Sequence, residues 1–137
     1  MSTKRFSCSF NNLEGICDYI TDCANKAGLN ESETYAVQLA VDEATTNIIE
    51  HGYGGECPSQ IDIACEVIKD GLKVVIYDDA EPFNPISVPE PEINVSLDEI
   101  KPRGLGIFFM RKMMDEIQYQ SDPEKGNILT MIKHHSP

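Results

Sequence analysis

Residues 41–51 read VDEATTNIIEH and form the middle and end of a helix that is predicted to begin near Asn30. An amphipathic helix turns its apolar stripe toward the core, and five positions of this one recur at helical spacing on one face: Ala36, Leu39, Ala40, Glu43 and Asn47. The face is apolar at first and then becomes polar. Buried polar groups without partners cost on the order of several kcal/mol. Glu43 and Asn47 are therefore satisfied inside the fold or line a cavity for a ligand.

Composition narrows the class of protein. The chain has 137 residues, which suits one domain with one core. Its net charge of -12 disfavours nucleic acid and anionic membrane surfaces as partners. No apolar run is long enough to span a bilayer, and residues 1–6 lack the start of a signal peptide, so a cytoplasmic location is expected.

The cysteines do not indicate a disulfide framework. Their number is odd, 5, and none of them shows C-x-x-C spacing. Reduced thiols in a cytosolic protein are the expected state. Cys57 and His51 are only a weak match to a zinc site.

The first half of the chain predicts a strand, two helices and a hairpin. Gly28 is predicted to end the first helix, and Asn30 with Glu33 resembles a capping box that opens the long second helix. Asp70-Gly71 is predicted to be the turn of the hairpin. The predicted elements are a strand at 4–10, a helix at 13–27, a helix from 30 to about 51, and strands at 61–67 and 72–77.

Residues 79–103 carry five prolines and little periodicity. A connection of this length in a compact domain is usually functional, often a lid, and the alternative is a plain surface loop. A third helix follows, with an apolar stripe at Ile107, Met110, Met114 and Ile117. Strands at 118–120 and 127–133 close the chain. This order predicts an α+β fold, a two-layer sandwich with helices on one face of a mixed, mainly antiparallel sheet.

Three polar or glycine-bearing segments can flank one cavity. They are the helix turn of Glu43 and Asn47, the strand end at Asp78, and the helix start at Gly104 and Gly106. Glycines at a helix start permit close approach of an anion to free backbone N–H groups, and Asp78 offers an acceptor for an amine. Each segment also has a plain structural explanation, namely a satisfied polar pair, a capping aspartate and a tight turn.

Taken together, these segments resemble a known family, the bacterial anti-sigma-factor serine/threonine kinases of the gyrase/histidine-kinase superfamily of ATP-binding domains. The resemblance runs over nearly the whole chain, in order and spacing. It rests on D-E-x-x-x-N at 42–47, H-G-Y at 51–53, Y-D-D-x-x-P-F-x-P at 77–85, R-G-L-G-I at 103–107, M-D-E at 114–116 and G-N at 126–127.

The resemblance implies a fold, cofactors and residue roles. The whole chain, 1–137, would be a single histidine-kinase-like ATPase domain of the Bergerat type, with an ATP lid at about 79–103. Glu43 would be the catalytic base, and Asn47 would hold the Mg²⁺ on the phosphates. Asp78 would accept a hydrogen bond from the adenine amino group. The nucleotide would also contact Ala80, Phe83, Arg103, Gly104, Leu105, Gly106 and Asn127.

Four positions depart from the family pattern, Ala80, Glu81, Asn84 and Asn127, and two of them bear on the adenine site. Ala80 stands where the family usually has the glycine of Asp-x-Gly, and alanine would be strained if that backbone required φ > 0. Asn127 stands where a threonine often supports the adenine site. Both changes concern the adenine pocket more than the fold.

Two functions of different class follow from these patterns. The favoured hypothesis is a kinase that binds a sigma factor and phosphorylates a small anti-anti-sigma protein, with homodimerisation expected from the resemblance. The alternative is a non-catalytic nucleotide-sensing module, in which ATP orders a lid and changes the surface offered to a partner. A third hypothesis is an interaction domain without nucleotide, which predicts no effect of Mg-ATP on the melting temperature.

Overall fold

A computed structural model of the chain describes residues 2–82, 84, 108 and 110–137. Residues 108 and 110–113 are helical and form a third helical segment. The other elements are β1 (Ser2–Ser7), a 3-10 turn (Phe10–Asn12), α1 (Leu13–Lys26), α2 (Glu31–Asn47), a π-helical turn (Ile48–Gly52), β2 (Gln60–Ile68), β3 (Gly71–Asp78), β4 (Glu116–Asp122) and β5 (Gly126–His134).

The five strands form one sheet in the order β1-β2-β3-β5-β4. All four neighbouring pairs among these described strands are antiparallel. Alternate residues of the strands, such as Ile61 and Ile63 in β2, are buried beneath α1 and α2. The predicted two-layer α+β architecture is confirmed. Within the described residues, no helix has both the length and the apolar character that crossing a bilayer requires.

The first strand ends earlier than predicted. We predicted a strand over 4–10, but β1 stops at Ser7. The Ser9 hydroxyl then accepts a hydrogen bond from the Asn11 N–H at 3.2 Å and caps the 3-10 turn. A serine that satisfies a backbone donor in this way favours a turn over continued strand pairing.

The connection between α1 and α2 follows the predicted signals. Gly28 adopts φ +81 just after the last residue of α1, a backbone conformation that other residues rarely adopt. The Asn30 side chain accepts from the Glu33 N–H, and the Glu33 carboxylate accepts from the Asn30 N–H, both at 2.8 Å. The capping box is therefore confirmed.

The buried face of α2 differs from the predicted one. Ala36 and Leu39 are only half-buried, and the core positions are Thr34, Val37, Ala40, Val41, Ala44, Thr45 and Asn47. Apolar residues surround much of this helix, so spacing alone assigned its face wrongly by about one position. Asn47 lies at the end of the buried stripe, whereas Glu43 lies on its half-buried margin.

The β2–β3 hairpin turns one residue earlier than predicted. Ile68 pairs with Gly71, so the two-residue loop is Lys69 and Asp70. Gly71 serves a different purpose, because a Cβ there would lie 2.0 Å from the Lys133 carbonyl oxygen of β5. The glycine permits β5 to approach β3.

The third helical segment is shorter than the helix that the apolar stripe predicted. Met110 and Met114 are buried at 1% and 5% exposure, as the stripe required. Ile117, which we assigned to the same helix, lies instead in β4. The predicted start of this helix, 103–107, lies outside the described residues.

Candidate functional site

A cleft opens between the end of α2, the end of β3 and the start of β5. Three of the residues predicted to bind a cofactor line it, Asn47, Asp78 and Asn127. The remaining described lining residues are Ala44, Ile48, Gly52, Glu81, Met110, Tyr119 and Leu129. The cleft thus combines apolar walls with a few buried polar groups, which is the usual composition of a small-molecule site.

The Asp78 carboxylate is held on one side only. Its Oδ1 atom accepts the Ala80 N–H at 2.9 Å and the Asn127 Nδ2 at 2.8 Å. Both hydrogen bonds from the described part of the chain end on this oxygen. The second oxygen, Oδ2, therefore retains its capacity to accept a donor from a ligand in the cleft.

Asn127 connects the strand ends. It faces Asp78 directly in the β3–β5 register. Its Nδ2 also donates to the Ala80 carbonyl oxygen at 2.9 Å, and its Oδ1 lies 2.8 Å from the Ser121 hydroxyl, which can donate to it. The side-chain amide is only 3% exposed. Asn127 therefore orients Asp78 as well as lining the cleft, a role that spacing in the sequence did not indicate.

The environment of Asp78 affects its protonation. Burial raises the pKa of Asp78 above its ordinary value, and nearby Asp79 raises it further. The hydrogen bonds from Asn127 and Ala80 oppose this rise because they stabilise the ionised form. The two donors thus help to keep a buried carboxylate ionised.

Ala80 is not strained by replacing a glycine. None of the non-glycine residues that the structure describes has a positive φ. The methyl group of Ala80 fits because position 52 is a glycine, where an added Cβ would lie 2.7 Å from the Ala80 Cβ. The Gly52 carbonyl oxygen accepts the Glu81 N–H at 3.2 Å. The expected strain at Ala80 is therefore absent, and the two positions depend on each other.

Asn47 presents its carboxamide at the cleft with 7% exposure. This side chain makes no hydrogen bond to any other residue that the structure describes. A carboxamide oxygen in this state fits a Mg²⁺ ion that takes one or two protein oxygens and further ligands from phosphates. No cluster of three His, Cys, Asp or Glu ligands occurs among the described residues, so an all-protein metal cage is not indicated there.

Glu43 lies on α2 one turn before Asn47, but it is not among the described residues that line the cleft. Its side chain is half-buried. Burial raises the pKa of Glu43, and the neighbouring charges of Asp42 and Glu50 raise it further. A carboxylate with a raised pKa accepts a proton more readily than an ordinary one.

The apolar walls include positions that we did not assign to the site from the sequence. Ile48 follows Ala44 by four residues and continues one face of α2 into the π-helical turn. Met110 and Leu129 supply the opposing apolar surface. Apolar residues of this kind resemble ordinary core residues in a sequence, and only the tertiary fold shows that they border a cleft.

Five predicted site residues belong to segments outside the part of the chain that the structure describes. Phe83 and the run Arg103, Gly104, Leu105 and Gly106 lie outside the described residues, as does most of the predicted lid at 79–103. Their roles stay predictions.

Comparison with known proteins identifies the family. Residues 6–133 match the family model described as the histidine kinase-like ATPase domain. The chain is 25% identical over 120 residues to the serine-protein kinase RsbW of Bacillus subtilis (strain 168), covering 84% of this chain and 73% of that protein. It is 30% identical over 104 residues to the anti-sigma F factor of Oceanobacillus iheyensis, covering 76% and 71%.

Solved structures agree on the fold. A Mycobacterium tuberculosis structure of RsbU and RsbW domains superposes on 100% of this chain with a TM-score of 0.61 and 13% identity. A blue-light activated histidine kinase from Erythrobacter litoralis matches 89% with a TM-score of 0.54 and 15% identity. The chain spans 34% and 58% of those two structures. The chain belongs to the histidine kinase-like ATPase domain family and, within it, to the anti-sigma-factor serine/threonine kinases that its sequence resembles.

Proposed function

We propose that this chain is a cytoplasmic, ATP-dependent serine/threonine kinase that acts as an anti-sigma factor. It would bind a sigma factor and phosphorylate a serine or threonine of a small anti-anti-sigma protein. The single observation that carries the proposal is the cleft itself, where Asp78, Asn127 and Asn47 meet beside apolar walls. Relatives named as serine-protein kinase and anti-sigma F factor support the same activity.

The adenine base fits the Asp78 end of the cleft. A purine has two flat apolar faces, which Ile48, Met110 and Leu129 can cover. Its exocyclic amine needs an acceptor, and the Oδ2 atom of Asp78 is the acceptor that the hydrogen-bond pattern leaves available. A guanine would place a carbonyl oxygen there and repel the ionised carboxylate, so the cleft favours adenine.

The phosphates then lie toward Asn47. Its carboxamide oxygen would hold Mg²⁺, which when bound neutralises phosphate charge. Transfer of a phosphoryl group depends mainly on positioning and charge, together with a group that orients the attacking hydroxyl. We assign this last role to Glu43, which takes the hydroxyl proton as the new P–O bond forms and the bond to the ADP oxygen breaks.

Two variants test these assignments. Glu43→Gln keeps the size of the side chain but removes the base, so it should bind Mg-ATP with wild-type affinity and lose phosphoryl transfer. Asn47→Ala should lose the Mg²⁺-dependent part of ATP binding. Glu31→Gln, a change of the same kind at the exposed start of α2, is the matched control and should retain both.

The assay uses the full chain with radiolabelled ATP, Mg²⁺ and an anti-anti-sigma protein from the same genome, followed by melting curves with and without Mg-ATP. Ligand at a hundredfold excess over Kd stabilises the folded state by about 2.7 kcal/mol. Transfer by Glu43→Gln at the wild-type rate would remove Glu43 from the base role. Absence of any nucleotide-dependent stabilisation would overturn the kinase proposal.

One observation favours the second candidate, a nucleotide-sensing module without catalysis. Glu43 is not among the described residues that line the cleft. A sensing module predicts Mg-ATP binding and an ATP-dependent affinity for a sigma factor, but no phosphorylated partner. Detection of a phosphorylated serine or threonine on the partner excludes it.

A further inference from the structure

Cys8 and Cys57 lie next to each other where the β1–β2 ladder becomes irregular. The Cys8 N–H donates to the Ser59 carbonyl oxygen at 2.9 Å, and the Cys57 N–H donates to the Cys8 carbonyl oxygen at 3.1 Å. The chain therefore bulges around Pro58, so that Cys57 takes the place opposite Cys8. Neither the ATP cleft nor its proposed chemistry uses these two thiols.

The distance between the two residues suits a covalent bond. Cys57 donates one backbone hydrogen bond to Cys8, and residues bonded in this way across antiparallel strands have Cα atoms on the order of 5.5 Å apart. Disulfides span Cα distances of about 4.4–6.8 Å. Cys8 belongs to the buried core cluster, and the Cys57 side chain packs against that cluster. The two side chains therefore lie on the same side of the strands in the reduced protein.

The two thiols differ in exposure and acidity. Cys57 is half-buried, whereas Cys8 is only 1% exposed. Burial and then the hydrogen bond with Cys57 raise the pKa of Cys8 to about 11. Partial burial opposes ionisation of Cys57, but hydrogen bonds with Ser59 and Cys8 outweigh it and lower the pKa of Cys57. An accessible, more acidic thiol beside a shielded one is the usual arrangement of an attacking and a resolving cysteine.

We propose that Cys8 and Cys57 form a redox-active dithiol that closes to an intramolecular disulfide when the protein meets hydrogen peroxide. The Cys57 thiolate attacks one peroxide oxygen, the O–O bond breaks, and Cys57 becomes a sulfenic acid as the first water leaves. The Cys8 sulfur then attacks the Cys57 sulfur, the S–O bond breaks, and the second water leaves. One peroxide is reduced and two thiols are oxidised to one disulfide.

The other described cysteines provide internal controls. The neighbouring Cys23 thiol helps to raise the pKa of Cys65, but both residues are buried between α1 and β2, where a peroxide has no access. Cys17 is half-exposed on α1, and the only described contact of its backbone with a side chain is the hydrogen bond that its carbonyl oxygen accepts from the Thr21 hydroxyl. Proximity and access coincide at Cys8 and Cys57 alone among these positions.

Closure would connect β1 to the segment that leads out of the π-helical turn. This segment begins at Gly52, which lines the cleft, and Tyr53, whose hydroxyl accepts the Asp79 N–H at 3.0 Å. The Cys8 thiol would give up its hydrogen bond to the Gly55 carbonyl oxygen. The disulfide would therefore restrain the segment that includes one wall of the nucleotide site, but it would not lie in the site.

The test begins with wild-type full-length protein at micromolar concentration, treated with hydrogen peroxide and then alkylated without reductant. Measured before alkylation, the intact mass should fall by about 2 Da, and peptide mapping after alkylation should recover Cys8 joined to Cys57 within one chain. A covalent link that closes a loop of about 50 residues should raise the melting temperature by roughly 10 °C, reversed by dithiothreitol.

Variants separate this pair from the others. Cys57→Ser, at the half-exposed position, should abolish both the mass loss and the rise in melting temperature, whereas Cys17→Ser should leave both unchanged. Mapping of the wild-type protein does not depend on whether Cys8→Ser folds. Recovery of Cys57 as a sulfinic acid, a link between two chains, or a link from Cys23 to Cys65 would each overturn the proposal.

Discussion

The amide of Asn127 offers a direct test of how the cleft is built. Leucine at this position has the same branching at Cγ, with two methyl groups in place of the amide atoms, and has neither donor nor acceptor, so Asn127→Leu removes hydrogen bonds without opening a cavity. The variant leaves the Ala80 carbonyl oxygen without its donor and takes one of two donors from Asp78. The Ser121 hydroxyl also loses its acceptor, but it lies at the exposed edge of β4.

The loss of stability can be worked from these contacts. The bond to the ionised carboxylate contributes about 1.5–3 kcal/mol and the bond to the neutral carbonyl about 1 kcal/mol. We therefore expect Asn127→Leu to lower the free energy of unfolding by about 3 kcal/mol. With an unfolding entropy of about 2.1 cal/mol/K per residue, this lowers the melting temperature by roughly 10 °C.

Scanning calorimetry at pH 7 measures this directly. Ser121→Ala is the matched control, because it removes the hydroxyl beside the Asn127 Oδ1 but keeps both bonds from Nδ2. Exposed substitutions of this kind usually change stability by about 0.5 kcal/mol or less. Melting of Asn127→Leu within 2 °C of wild type would show that the amide does not hold the strand ends, and the assigned role would be wrong.

Three further predictions concern the same cleft. ATP affinity should fall as the pH drops through the raised pKa of Asp78, because the protonated oxygen no longer accepts a hydrogen bond from the adenine amine. Calorimetric titration with ATP between pH 8 and pH 4.5 should show this fall. Asn127→Leu should move the fall to higher pH, because it removes a donor that stabilises the ionised carboxylate. Gly52→Ala should lower both the free energy of unfolding and the ATP affinity, and adding Ala80→Gly in the same chain should restore both. A double-mutant cycle of urea unfolding measures the coupling between the two positions. Gly126→Ala should lower the free energy of unfolding by about 2 kcal/mol, because Gly126 has φ +83 and a Cβ there would lie 2.5 Å from the Asp79 Oδ1. Urea unfolding should detect this loss.

Local signals in the sequence predicted the elements well. The capping box at Asn30 and Glu33 and the glycine after α1 act within a few residues of each other, so their chemistry can be read directly. The prediction of which face of α2 is buried was wrong, because alanine and valine occur on more than one side of the helix. Contacts with α1 and the sheet decide which side is buried. The end of β1 at Ser7 depended on a competing serine cap two residues later.

The candidate site was only partly predictable. Asp78 and Asn47 stand out as polar residues at the ends of apolar elements. Asp78 and Asn127 lie 49 residues apart in sequence, and their hydrogen bond depends on the register between β3 and β5. No local pattern in the sequence encodes this register. The fit of Ala80 likewise depends on Gly52, on another element.

The pairing of Asp78 with Asn127 has a consequence for synthesis of the chain. A nascent chain that has reached only the end of β3 carries the carboxylate, but β5 with Asn127 and Leu129 has not yet been made. Non-local pairing of this kind forms late in folding. Nucleotide would therefore bind only finished molecules, and the ATP of the cell would stabilise each one as its fifth strand enters the sheet.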